Sequence, residues 1–561
     1  MKGWWKMGRF NLLYEPWISV MADARGKIEN VSLIDLFKNA HKYYRLAGET
    51  PAQDFAILRF LLAIMHTVFS RFDAQGEKFE WIDLDEKFIQ TNEIHRAYLK
   101  KYEVALKDSW KELWDKESLP NIINDYLQVW EDRFNLYDEK YPFYQVTKED
   151  LESENIIIKD KSGRVNAEQF NRLVSESNNT FVLFSPKDYK SKNEITDSSF
   201  VRWLISYQGY TGTADKAKFP SLNTPKGKGW LLDIGGVYLE GSSIKETLLL
   251  NMTRISDFRK QRPVWEKTFN EITNDLLYSR PDNLAELYTN YSRIVYIDSF
   301  NETPQYIRPY AFPELDKKNF FCEQMTIWRY DEKENIEVPC LHDSNKSFWR
   351  SFGQISLAGD GRRKPGIIDW YNILVNEKLI ESSFIRIKSV GLSRELKSST
   401  WTIIDEIYDE INVYNEVLAD VKIDGWAERI TLIVEKTKEV ISFDYKNFLQ
   451  KINKIRNLNR EGFVNTGIQE AYFNVDLYFR EWLASITIED QMEVKQKEWE
   501  IKLRNVMREE SLKILKNASK RDFLGNKIEQ KDQKGKKETI YSNVSIAQNE
   551  FSAELNKKLA K

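Results

Sequence analysis

Two cysteines and four histidines are all the soft metal ligands in this 561-residue sequence, and their spacing limits what they can do. Cys322 and Cys340 form no Cys-x-x-Cys pair, so they build neither a four-cysteine zinc site nor a disulfide framework. They read as small buried apolar side chains. His342-Asp343 is the sole His–Asp pair, either structural or half of a metal nuclease site. Asp83-Leu84-Asp85 has the form of a Mg²⁺ ligand pair, but it lies at an expected helix start, where acidic residues are favoured in any case. Lys226-Gly227-Lys228-Gly229 lacks the spacing and the Lys-Ser/Thr ending of a phosphate-binding P-loop. Neither Gly-x-Ser-x-Gly nor His-Glu-x-x-His occurs. The chemistry left is recognition by charge. Gly359-Asp360-Gly361 leads into Arg362-Arg363-Lys364, a basic loop that either touches phosphates or is a solvated turn. No catalytic group, cofactor or metal is expected.

The elements that must carry such loops are legible in outline. Hydrophobic residues make up 42% and charged residues 30%, an ordinary globular balance with length for two or more domains. Net charge is −3, split between +7 in residues 501–561 and −10 in the first 500, which points to a local basic surface on a mildly acidic body. Phe55–Phe69 is the most apolar run. It is too short for a membrane span and carries Arg59 and His66, so a buried helix and no membrane partner are expected. Met1-Lys2-Gly3-Trp4-Trp5-Lys6 opens no signal-peptide apolar region, and a cytoplasmic protein is expected.

Phe10–Val31 reads as a hairpin around Gly26. Helices are expected over Leu33–Ala40, Thr50–Phe72, Asp85–Asp108 and Ile122–Phe134, followed by loop-rich territory from Tyr137 to Ser399. No proline occurs after Trp401, and apolar residues recur at helical spacing through Trp401–Val417, Phe443–Ile455, Ala471–Ile486 and Trp499–Leu515. That pattern predicts a four-helix bundle. Gly525–Glu538 is polar and Lys-rich and reads as a linker, with a short helix over Val544–Leu559. The expected architecture is α+β: a large mixed, loop-rich N-terminal domain (1–399), a C-terminal four-helix bundle (400–522), and a basic polar tail (523–561).

Several stretches, in order, resemble one family. Phe10-Asn11-Leu12-Leu13-Tyr14-Glu15-Pro16-Trp17-Ile18-Ser19-Val20 is similar to the opening of the large subunit of the type I-E CRISPR surveillance complex, Cascade. Arg133–Tyr137 with Tyr141–Gln145, Asn283–Thr289 with Ser292-Arg293, Met325–Arg329, His342-Asp343 with Phe348-Trp349-Arg350, Lys364–Trp370 and Ala471–Leu483 continue the match in family order. No single stretch is specific. Their order over residues 10 to about 520 carries the resemblance.

The resemblance implies a non-catalytic subunit at the foot of an RNA-guided complex. It would read the short PAM in duplex DNA, help open the duplex, hold the displaced strand and recruit the helicase–nuclease. Implied partners are the backbone and small subunits, the 5′ handle of the guide RNA, PAM-bearing double-stranded DNA and the helicase–nuclease. A lysine finger maps to Lys318, beside Lys317, about ten residues before Trp328. A wedge between two strands maps to Gly391–Ser398, where Leu396 or Lys397 replaces the usual Gln, Arg394 and Lys397 flank phosphates, and Glu395 completes the tip. A glycine-rich loop maps to Gly209–Lys216. Gly212 keeps part of its close-approach character, and Thr213 or Lys216 compensates for missing glycines. A docking loop near the guide RNA maps to Val182–Ser198, with Lys187, Lys190 and Lys192 for the backbone and Phe181 either on RNA or anchoring the loop. The family's zinc-binding cysteine cluster is missing. The residues alone leave two alternatives: a metal-dependent nucleic-acid enzyme, and a purely structural helical adaptor.

Overall fold

The computed structural model describes residues 10–154, 156, 163–174, 186–212, 217–218, 227–253, 259–297, 304–358, 363–394, 403–458, 461–531 and 537–560. The fold is α+β, a mixed N-terminal region followed by a helical bundle. Two compact units divide the chain: Met1–Ser344, Gly359–Tyr371 and Ile387–Asp409 in the first, and Asn345–Ala358, Asn372–Arg386 and Glu410–Lys561 in the second.

The first unit begins with the expected hairpin. Strands β1 (Ile18–Met21) and β2 (Ile28–Val31) pair antiparallel, and Gly26 takes φ +84° in the turn between them. Helix α1 (Pro51–Phe69) forms the centre. Thr50 caps it by accepting the Gln53 N–H at 3.2 Å, and Pro51 occupies the first turn, where its missing N–H costs nothing. Nearly every α1 side chain is buried, as an all-round apolar helix requires. It packs against α2 (Ile122–Val129), α3 (Asp197–Tyr210) and α4 (Leu284–Thr289). Strand β3 (Gly236–Glu240) adjoins β8 (Phe384–Arg394), which in turn pairs with β9 (Ile403–Tyr414). This unit also holds a four-stranded sheet, in which β4 (Arg293–Tyr296) pairs with β5 (Tyr306–Ala311), and the hairpin of β6 (Trp328–Asp331) with β7 (Ile336–Pro339).

In the second unit, α5 (Trp426–Glu439) continues through a π-helical turn (Val440–Tyr445) into α6 (Lys446–Ile455). With α7 (Glu461–Ala484), α8 (Met492–Lys516) and α9 (Val544–Lys558) it makes the bundle. The core is aromatic: Phe479 lies 4.9 Å from Trp499 and 4.1 Å from Trp349, and Phe448 lies 5.2 Å from Phe551.

Three expectations need correction. Residues 401–417 were expected to be helical, but β9 runs through Ile403–Tyr414. Four isoleucines and a valine in that stretch favour a pleated strand, and burial alternates at its end, with Ile411 and Val413 inside. The 3–4 spacing of its apolar residues fits period 2 almost as well as period 3.6. The helix expected from Asp85 begins only at Leu99. The Asp85 carboxylate accepts the Lys87 and Ile89 N–H groups at 2.9 and 2.8 Å, a local turn that competes with helix. The expected linker 525–538 contains strand Asn526–Lys531, which pairs with Lys537–Ser542. Gly525 at φ +77° opens it, where a Cβ would meet the Ser542 carbonyl.

Candidate nucleic-acid interface

The lysine segment is mounted on a buried ion pair. Arg59, from α1, grips Glu323 with two parallel hydrogen bonds of 2.8 Å, both side chains essentially without exposure. Glu323 also accepts Trp230 Nε1 at 2.6 Å and the Met325 N–H at 2.8 Å. Burial pushes this carboxyl up, but the Arg59 charge and these hydrogen bonds outweigh it and hold the pKa below the usual range. Five residues upstream, the Lys318 carbonyl takes the Arg280 guanidinium at 3.1 Å, and the Asn319 N–H reaches the Glu337 carbonyl at 2.9 Å. Lys318 itself is exposed and pairs with exposed Glu334 at 2.6 Å, a contact that water competes with. Lys317 lies 3.9 Å from Asp233 and 4.0 Å from Glu314, at the edge of a cluster whose centre is buried Lys228, 3.0 and 3.1 Å from the same carboxylates. Burial and the Asp233 charge push the Glu314 carboxyl up.

The glycine loop is closed at its neck. Arg293, fully buried, donates to the carbonyls of Gly212, Gly227 (2.9 Å) and Ser292 (2.6 Å), and so ties together both ends of residues 213–226. The Gly229 N–H adds a bond of 2.9 Å to the Thr211 carbonyl. A Cβ at Gly227 would strike the Pro313 backbone, and one at Gly229 the Gly209 carbonyl. The Lys-Gly-Lys-Gly run therefore serves close packing, with Lys228 turned into an internal ion pair. Thr213 and Lys216 lie outside the described residues. Sequence reading quoted Arg293 only as part of a motif; its place beside two future loop ends carries no local signal.

The wedge hairpin shows its stem. Arg394 ends β8, and its side chain, with all of Glu395, Leu396 and Lys397, lies outside what is described. In the stem, buried Lys388 lies 2.6 Å from the Tyr408 hydroxyl and 3.4 Å from Glu240. Glu406 accepts the Ala52 N–H at the start of α1. Asp54 sits two residues on; burial pushes its carboxyl up to about 7, against the opposing Gly48 N–H bond of 2.8 Å. His342 joins its Nε2 to the Gly236 carbonyl at 2.8 Å, and burial lowers its pKa. It is a half-buried structural histidine.

In the docking loop, Asp188 accepts the N–H groups of Lys190 and Ser191 at 2.9 and 2.8 Å. Lys187 donates to the Glu194 carbonyl, and Lys192 pairs with buried Glu168 at 2.7 Å, so both serve the loop's own shape. Lys190 is exposed beside Tyr189, which is 82% exposed and was not singled out in the sequence. Phe181 lies outside the described residues. In the basic run after Gly361, Lys364 is buried and pairs with Asp369 at 3.0 Å. Among the described residues no three His, Cys, Asp or Glu side chains are grouped to hold a metal.

The family described as CRISPR-associated protein Cse1 matches residues 11–509. The chain belongs to the Cse1 family. A curated CRISPR-associated protein CasA/Cse1 of Thermus thermophilus is 24% identical over 273 residues, 46% of this chain; the match spans 42% of that relative. The fold is shared with Thermobifida fusca Cse1 (23% identity, TM-score 0.77, 98% of each chain covered). It is also shared with a chain of a solved CRISPR RNA-guided surveillance complex (15% identity, TM-score 0.66, 98% of this chain and 99% of that one).

Proposed function

We propose that this chain is the non-catalytic large subunit of a type I-E Cascade complex, reading the PAM in duplex DNA, aiding duplex opening and recruiting the helicase–nuclease. The observation that carries the reading is the Cse1 match over residues 11–509. The residues support it: the lysine segment, the glycine loop and the hairpin stem each present loop positions on a braced, buried base within one compact unit. Such bases let a few side chains hold a fixed place in a groove while phosphate contacts supply affinity. Lys318 is the described cation best placed to reach DNA. Backbone and small subunits and the guide-RNA 5′ handle are the remaining partners, with Lys190 and Tyr189 on the RNA side.

The test is a mobility shift with Cascade reconstituted around this subunit and a target duplex flanked by a randomised PAM library. Binding should enrich a short PAM, and Leu396→Ala/Lys397→Ala should flatten that enrichment. PAM-independent binding, or binding unchanged when the subunit is omitted, refutes the reading.

A further inference from the structure

A cavity of about 420 Å³ opens in the first unit between residues 133–153 and 264–291. Its volume is within the range of small-molecule sites. Its inner wall is aromatic: Tyr144, Trp265 and Tyr291 all line it, with the Tyr144 and Tyr291 rings 5.0 Å apart. Tyr291, only 8% exposed, contributes its hydroxyl to this lining.

The lining is of mixed charge, with Arg133, Lys140 and Lys267 beside Glu149 and Asp150. Arg133 lies flat over Tyr141, 3.6 Å from the ring centroid, and Lys140 lies 4.9 Å from the same ring. The Arg133 Nε is buried without a hydrogen-bond partner among the described residues, and the Asp132 carboxylate is as far as 3.9 Å away. One aromatic ring thus holds two cations beside the aromatic lining.

We propose that this cavity binds one unpaired nucleotide of a single-stranded nucleic acid. The base stacks against Tyr144, Trp265 and Tyr291, the Tyr291 hydroxyl hydrogen-bonds its edge, and the phosphate sits at Arg133 and Lys140. Aromatic faces accept any base, and a guanidinium with free N–H groups suits a phosphate. The site goes beyond PAM reading, since it takes a flipped or single-stranded nucleotide and none of the PAM-facing residues.

Fluorescence anisotropy on the full-length chain tests it, with labelled RNA and DNA hexamers as probes and nucleoside 5′-monophosphates as competitors. Arg133→Gln should weaken hexamer binding about tenfold, the loss of one charge-assisted contact. Tyr291→Phe, which keeps the ring, should weaken it about fivefold. Crosslinking of a thiouridine hexamer should label peptides within 133–153 or 264–291. Preference for RNA names a guide-type strand, preference for DNA a displaced strand, and full competition by monophosphates a free nucleotide. Hexamer binding unchanged in both variants with melting temperatures like the parent's, or no binding of any probe, overturns the site. The hexamers carry neither a duplex nor a PAM, so failure here is separable from failure of the PAM reading.

Discussion

Glu323→Gln should unsettle the lysine segment from within. The substitution keeps shape and one carbonyl oxygen but leaves the Arg59 charge buried without a counter-charge. Arg59 is 2% exposed and Glu323 fully enclosed, so water cannot replace the lost partner. Breaking a buried pair of this kind costs about 3–5 kcal/mol. Against a typical total stability of roughly 5–15 kcal/mol, that is a large share. At about 2–4 °C per kcal/mol for a sizeable domain, the melting temperature should fall by on the order of 10 °C. Scanning calorimetry and near-ultraviolet dichroism are the assays, with Arg59→Met/Glu323→Leu as control. Removing both charges together should recover much of the loss, because the desolvation of each disappears with it. The pH dependence has a fixed sign. The folded carboxyl is held below its unfolded value, so the pair stabilises above that unfolded value and its contribution is lost as pH falls through the folded one. A Glu323→Gln protein that melts within about 1 kcal/mol of the parent would refute the account.

Lys318→Ala should leave the melting temperature nearly unchanged, since an exposed pair contributes about 0–1 kcal/mol, while DNA affinity falls and the salt slope drops by about 0.9. Arg293→Lys loses the fork that joins the Gly212 and Gly227 carbonyls; stability should fall by about 2–5 kcal/mol, and limited proteolysis should shift to residues 213–226. Asp54→Asn removes a carboxyl whose folded value, about 7, exceeds its unfolded one, so the parent loses stability as pH rises between those values and the variant does not. Thermal melts from pH 4 to 9 check this: the variant's advantage should grow with pH, and a constant gap between the two curves would sink the claim.

The parts legible in the sequence were those with one dominant local signal. Gly26 between two apolar runs set the first hairpin, and the long apolar run of α1 left no choice but burial. Where two periods fit the same residues, the reading failed: 403–414 satisfies a helix by spacing and a strand by β-branching, and the neighbouring strand decides. The hairpin at 526–542 was hidden because its polar residues resemble a linker; its signal is the cross-strand match of Ile528 with Ile540. At the candidate site, exposure of Lys318 and Lys190 agrees with a role at a surface, whereas Lys192 and Lys228 pair with buried carboxylates and buried Lys364 with Asp369.

That inward use of charge has a functional consequence. Arg59, Arg71, Arg202 and Arg293 all point into the first unit, on Glu323, Glu266, Glu49 and the loop-neck carbonyls. On the PAM-reading proposal, substituting Arg59 or Arg293 should weaken DNA binding, as Lys318→Ala should, but for another reason. A braced loop that loosens spends less time in its binding geometry, which scales down affinity without removing a phosphate contact. A lost phosphate contact instead releases one fewer counterion and flattens the salt dependence. The slope of binding against salt, measured alongside affinity, therefore separates the cations that touch DNA from those that hold the loops in place.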